Sequence, residues 1–181
     1  MKISVLYGST RDYGNTEQLT ERVFDGIDVN KIYLNQYFFK DIIDQRHDPE
    51  GFDEVDDDYD DIISSIIDSD ILVFATPLYW YGMTGVMKRF IDRFSQTARD
   101  EKFPDFKERL KEMQVYVIIV GGDSPRKKAL PCVQQFGYIC DFFGMEFKDA
   151  LIGEARKPGT IQKDAMALAN ADNWNRHFKN L

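Results

Sequence analysis

Two near-continuous apolar runs restrict the fold more than any other feature of the chain: Ile71-Leu72-Val73-Phe74-Ala75 and Val115-Tyr116-Val117-Ile118-Ile119-Val120. A strand with one wet face alternates apolar and polar side chains. A run without alternation suits a parallel strand covered on both faces. Thr76-Pro77 closes the first run and Gly121-Gly122 the second. Three weaker runs predict further strands: Ile3 to Tyr7, ending at Gly8, Val29 to Leu34, and Glu146 to Ile152.

Helical patterns lie between the strands. Asn15-Thr16-Glu17 opens one with a capping residue and an early acid, and Leu19, Val23 and Ile27 mark its buried face. A second begins in the acidic cluster Asp56, Asp57, Asp58, Asp60 and Asp61 and buries Tyr59, Ile62, Ile63, Ile66 and Ile67. The helix macrodipole accounts for acids at that end. Others are expected over Val86 to Ser95, Asp105 to Met113, Lys128 to Phe143 and Gln162 to Phe178. The stretch from Asn35 to Val55 has no period and reads as a long loop, the kind of segment that is often functional. His47 within it reads as a solvated side chain.

Strands alternating with helices imply right-handed βαβ units and an α/β fold. The expectation is one domain over residues 1–181, with a doubly wound five-stranded parallel sheet in the order 2-1-3-4-5 and helices on both faces. The ligand crevice of such a sheet lies outside the carboxyl ends of strands one and three, where the connections change direction. The site must therefore be built from the loops after Tyr7, after Ala75 and after Val120.

The first loop is Gly8-Ser9-Thr10-Arg11-Asp12-Tyr13-Gly14-Asn15-Thr16. It leads into a helix N-terminus, where free N–H groups and the positive dipole end favour an anion. Its hydroxyls, glycines and asparagine suit a compact phosphate, and Arg11 adds charge. No Lys follows the second glycine and no Gly-x-Gly-x-x-Gly is present, so the fingerprints for ATP and dinucleotides both fail. An ordinary capped turn, with Asn15 or Thr16 as N-cap, is the plain structural alternative. The second loop, Thr76-Pro77-Leu78-Tyr79-Trp80-Tyr81-Gly82-Met83-Thr84-Gly85, sets three consecutive aromatics just past a buried strand. Such rings are unfavourable in water unless something flat covers them, and a tricyclic isoalloxazine is such an object. A subunit interface would also cover them.

Together these loops, with Ser69-Asp70-Ile71-Leu72-Val73 and Lys88-Arg89-Phe90-Ile91-Asp92-Arg93, resemble the NAD(P)H-dependent FMN reductases. That family is a branch of the flavodoxin-like superfamily that also contains quinone reductases, azoreductases and iron–sulfur flavoproteins. The resemblance spans nearly the whole chain. It implies that Ser9, Thr10, Arg11, Asn15 and Thr16 hold the phosphate of FMN. It also implies that Pro77, Leu78, Tyr79, Trp80, Tyr81 and Gly82 line the ribityl chain and ring, with Gly121 and Gly122 approaching from the far side. Iron–sulfur relatives carry a cysteine cluster after strand two. Here that loop, Asp44 to Phe52, has no cysteine and cannot ligate a cluster.

The expected function is a flavoprotein oxidoreductase that takes hydride from NADPH or NADH and passes electrons to a small acceptor such as a quinone, an azo or nitro compound, or free flavin. The flavin carries the chemistry, so no catalytic side chain is required. The rival readings are a flavodoxin-type electron carrier and a non-catalytic binding protein of the same fold. A net charge of −8 argues against nucleic acid and anionic membranes as partners. Met1 to Leu6 is too short and strand-like for a signal peptide, and Cys132 and Cys140 read as free thiols, so a cytoplasmic location is expected. The three aromatics exceed what one flat cofactor covers, which predicts a homodimer or homotetramer.

Overall fold

The two apolar runs occupy the centre of the sheet. The structure, a computed structural model, describes residues 1–181. In chain order it comprises β1 (Ile3–Tyr7), α1 (Asn15–Val23), β2 (Asn30–Tyr33), α2 (Tyr59–Ile66), β3 (Ile71–Pro77) and α3 (Gly85–Asp92). There follow α4 (Phe94–Thr97), α5 (Phe106–Lys111), β4 (Gln114–Gly121), α6 (Pro125–Lys128), α7 (Leu130–Phe143), β5 (Glu146–Glu154) and α8 (Ala165–Lys179). The sheet order is β2-β1-β3-β4-β5 and every pairing is parallel, as the alternation of elements predicts.

Alternate residues of the central strands feed two cores, which is why their sequences do not alternate. Leu72 and Phe74 of β3 join Val115, Val117 and Ile119 of β4 beneath α2, α3 and α7. Ile71, Val73 and Ala75 join Tyr116, Ile118 and Val120 beneath α1 and α8. The register sets the site. β1 ends with Tyr7 opposite Ala75, whereas β3 and β4 run on together to Pro77 and Val120. The Thr84 hydroxyl then donates to the Gly8 carbonyl at 2.7 Å, tying the loop after β3 to the end of β1. Gly8 keeps this crossing close, since a Cβ there would crowd the end of the Met87 side chain at 2.9 Å and Thr84 Oγ1 at 3.0 Å.

Helix boundaries differ from the sequence expectation where local chemistry intervenes. α1 stops at Val23, so Ile27 lies beyond it, after a left-handed Gly26 with φ 73°. The helix expected over Lys128 to Phe143 begins at Leu130 as α7, preceded by a separate short helix, α6, that ends at Lys128; Pro131 sits near the start of α7, where its missing N–H costs nothing. Asp164 caps α8 by accepting from Ala167 N–H at 3.1 Å, and the helix begins there rather than at Gln162. The helix expected over Val86 to Ser95 breaks at Arg93 into α3 and α4.

Arg93 turns inward and forms an ion pair with Asp57, each side chain being only 1% exposed. Its Nε donates to Gln96 at 3.0 Å and its guanidinium lies 4.0 Å from the centre of the Tyr59 ring. Asp57 also accepts from the backbone N–H groups of Lys40 and Tyr59. The acids before α2 thus anchor the long loop as well as complementing a helix dipole. Removing one partner of a buried pair strands the other charge, so Arg93→Met should lose about 3–5 kcal/mol of stability in urea unfolding. Proteolysis between residues 40 and 55 should accelerate with it, and a loss below about 1 kcal/mol would mean the pair is dispensable.

Candidate cofactor site

A cleft of about 240 Å³ opens where the carboxyl ends of β1, β3 and β4 meet. It is lined by Ser9, Arg11, Gly14, Asn15 and Thr16 from the first loop and by Pro77, Leu78 and Tyr79 from the loop after β3. Val120, Gly121 and Gly122 form a third side. This is the crevice expected at the reversal of strand order.

The first loop is organised by its own hydroxyl. Ser9 Oγ accepts from Arg11 N–H and donates to the Arg11 carbonyl, both at 3.1 Å. The N-cap of α1 is Gly14, which has no side chain to satisfy the helix end. The N–H groups of Asn15, Thr16 and Glu17 consequently have no acceptor in the protein. Neither Asn15 nor Thr16 caps the helix, so the capped-turn alternative does not describe this loop. The Asn15 side chain acts elsewhere: its Nδ2 donates to the Lys157 carbonyl at 2.8 Å and its Oδ1 accepts from Ile161 N–H at 3.2 Å. It fastens the loop after β5 across the mouth of α1.

The aromatic loop forms a two-residue hairpin. Tyr79 and Gly82 exchange both backbone hydrogen bonds, at 3.0 and 3.1 Å. Trp80 and Tyr81 occupy its centre with φ of 49° and 65°, the mirror-image turn that ordinarily takes Asn-Gly. Two aromatic residues held left-handed carry local strain of about 1–3 kcal/mol each. Trp80 is 95% exposed. Tyr81 hydroxyl donates to Asp123 at 3.0 Å, and Lys128 lies over its ring.

Across the cleft the chain passes close. A Cβ on Gly121 would meet the Leu78 side chain at 3.1 Å, and one on Gly122 would meet Arg156 Cα at 3.3 Å. The Gly122 and Asp123 amides have no acceptor in the protein.

Of the residues expected from sequence, Ser9, Arg11, Asn15, Thr16, Pro77, Leu78, Tyr79, Gly121 and Gly122 converge on the cleft. Thr10, Trp80, Tyr81 and Gly82 do not line it; Thr10 faces solvent and the other three form the hairpin beside it. Gly14, Val120, Ala155, Arg156 and Lys157 line it without having been expected. The fifth-strand loop carries only one glycine, Gly159, and one hydroxyl, Thr160, but its cations, Arg156 and Lys157, were a visible signal. Lys88 and Arg89, which follow the aromatic loop in sequence, pair with Asp92 and Asp41 and stay outside the cleft. His47 is exposed and also lies outside it. Cys132 and Cys140 are buried, with thiols pushed up to about 11 and about 12 by burial, which leaves them as inert packing groups.

Comparison with known proteins bears on the same region. The family model of NADPH-dependent FMN reductases matches residues 1–144. The putative NAD(P)H-dependent FMN-containing oxidoreductase YwqN of Bacillus subtilis (strain 168) is 52% identical over 171 residues, covering 94% of each chain. The solved structure of a Trp repressor binding protein from Bacillus subtilis superposes with a TM-score of 0.81 at 45% identity, covering 96% of each chain. The NAD(P)H:quinone oxidoreductase from Methanothermobacter marburgensis shares the fold, with a TM-score of 0.69 at 14% identity over 98% of this chain and 96% of that one. The first loop and its uncapped helix, the hairpin after β3 and the first four strands all fall inside the matched segment, and the chain belongs to the NADPH-dependent FMN reductase family.

Proposed function

We propose that this protein is an FMN-dependent oxidoreductase that accepts hydride from a nicotinamide dinucleotide and delivers electrons to a small molecule, with residues 1–181 acting as one FMN-binding domain. The observation that carries the reading is the uncapped start of α1, with three free N–H groups, where Asn15 and Thr16 line the cleft beside Ser9 and Arg11. That donor set fits a monophosphate: several N–H donors converge, a helix dipole points at them, and one guanidinium supplies charge. The ring end fits as well. Gly121 and Gly122 let the chain pack closely on Leu78 and Arg156 at that wall, and the free Gly122 and Asp123 amides can donate to the carbonyl edge of a flavin.

The residues assigned to the phosphate are Ser9, Arg11, Asn15 and Thr16. Pro77, Leu78, Tyr79, Gly121 and Gly122 are assigned to the ribityl chain and ring. Trp80, Tyr81 and Gly82 act as a wall beside the ring, and Thr10 is left without a direct contact. When bound, FMN supplies the two-electron chemistry. The chain's part is to fix the phosphate, shape the slot and limit water. Asn15 contributes by holding the loop after β5 in place through Lys157 and Ile161.

Quinones and azo compounds are the acceptor classes favoured, since flat, electron-poor molecules suit a slot bordered by Tyr79 and Trp80. No helix is long and apolar enough to cross a membrane, and the free buried thiols favour a reducing, cytoplasmic setting. The decisive experiment against the carrier reading is anaerobic. Protein reconstituted with FMN and freed of excess flavin should lose its visible flavin band when NADPH alone is added. A band that persists until a separate reductase is supplied would favour an electron carrier.

The exposed hairpin supports a second expectation. Tyr79 is 50% exposed, Trp80 95% and Tyr81 45%, in one continuous stretch. Apolar aromatic area of that kind is usually covered by a partner surface. A second copy of the chain is the proposed cover, as a homodimer or homotetramer. Sedimentation of the FMN-loaded protein at micromolar concentration should give a species above the 21.1 kDa chain mass, and Trp80→Ser should shift it toward monomer. A monomer in both cases would contradict this.

A further inference from the structure

The loop after β5 brings more positive charge to the cleft than a flavin phosphate uses. Arg11 and Arg156 are the arginines with neither an ion pair nor a side-chain hydrogen bond; every other arginine in this acidic chain has a partner. Both line the cleft, and Lys157, whose ammonium is also unpaired, lines it beside them. The backbone that carries these two residues is held firmly. Lys157 accepts from Asn15 at 2.8 Å, its N–H donates to Thr160 Oγ1 at 3.2 Å, and Gly159 turns the chain with φ 75°. The Arg156 backbone packs on Gly122, where a Cβ would meet it at 3.3 Å. A fixed backbone presenting two free, exposed cations is an arrangement prepared for an anion that comes and goes.

Arg11 lies on the α1 side with the free helix N–H groups, a donor set sufficient for one phosphate. Arg156 and Lys157 come from the loop after β5, which runs from Gly122 on the far wall of the cleft to the Asn15 contact at the mouth of α1, and both remain exposed. We propose that Arg156, seconded by Lys157, binds the 2′-phosphate of a phosphorylated nicotinamide dinucleotide and so sets a preference for NADPH over NADH. The guanidinium fork matches a phosphate in a bidentate way that a 2′-hydroxyl cannot reproduce. This assignment rests on the FMN oxidoreductase reading, because it needs the first phosphate position to be taken by the flavin.

The test compares FMN-loaded wild-type protein with Arg156→Gln, Arg156→Lys and Lys157→Gln. Two quantities are read: the ratio of kcat/KM for NADPH to that for NADH, and the affinities for adenosine 2′,5′-bisphosphate and 5′-AMP by equilibrium dialysis. In Arg156→Gln the ratio should fall on the order of ten-fold or more, with a matching loss of affinity for the 2′,5′-bisphosphate and a smaller change for 5′-AMP. Arg156→Lys should recover part of the ratio, and Lys157→Gln should move it in the same direction by less. A ratio that does not move, whether both activities fall together or neither does, overturns the assignment. Loss of FMN from Arg156→Gln overturns it too, because the cation would then belong to the flavin phosphate. If wild-type protein retains FMN and is reduced while the ratio is insensitive, only this inference fails. A wild-type protein that retains no FMN sinks both readings.

Discussion

The N–H groups of Asn15, Thr16 and Glu17 have no acceptor in the protein, and the rest of the structure holds that helix end in place. A helix end normally gains about 1 kcal/mol from a capping side chain. Gly14 forgoes it, which leaves the donors and the dipole for an anion. Holding such an end in place requires a rigid support. β1 is fully buried, the Gly8 crossing is locked by Thr84, and α1 is packed on β3, β4 and α8.

Much of this was legible in the sequence. Unalternating apolar runs at Ile71 to Ala75 and Val115 to Val120 revealed strands buried on both faces, and the alternation of elements then specified the strand order. Knowing the order located the crevice before any motif was considered. The first loop was legible because hydroxyls and glycines ahead of a helix signal a phosphate site by local chemistry alone. The contributions that escaped are long-range. Asn15 reads as a cap or phosphate donor, and only the tertiary structure shows it fastening a loop 142 residues away. The buried role of Arg93 was hidden for the same reason, since its partner Asp57 lies 36 residues upstream in a cluster that suggests a solvated helix end.

The aromatic loop shows how a correct residue type can occupy an unforeseen position. Three successive rings suggested a lining for a flat cofactor. The backbone instead closes between Tyr79 and Gly82, so that Tyr79 faces the cleft while Trp80 and Tyr81 form a strained turn next to it. Charge was redistributed in a similar way. Lys88 and Arg89, adjacent in sequence to that loop, are neutralised by carboxylates, and the unpaired cations at the cleft are Arg11 of the first loop with Arg156 and Lys157 of the loop after β5. On a chain of net charge −8, local positive potential at this one cleft favours anionic ligands there over the rest of the surface.

The central claim is that the uncapped helix end holds the phosphate of FMN. Titrating flavin-free protein with FMN and with riboflavin, which differ only in that phosphate, tests it most directly. The account predicts that FMN binds on the order of 100-fold more tightly or better, a difference of about 2.7 kcal/mol, as expected for charge-assisted hydrogen bonds at a helix N-terminus. Equal affinity for the two flavins would contradict it, because the free N–H groups of α1 would then contribute nothing to binding.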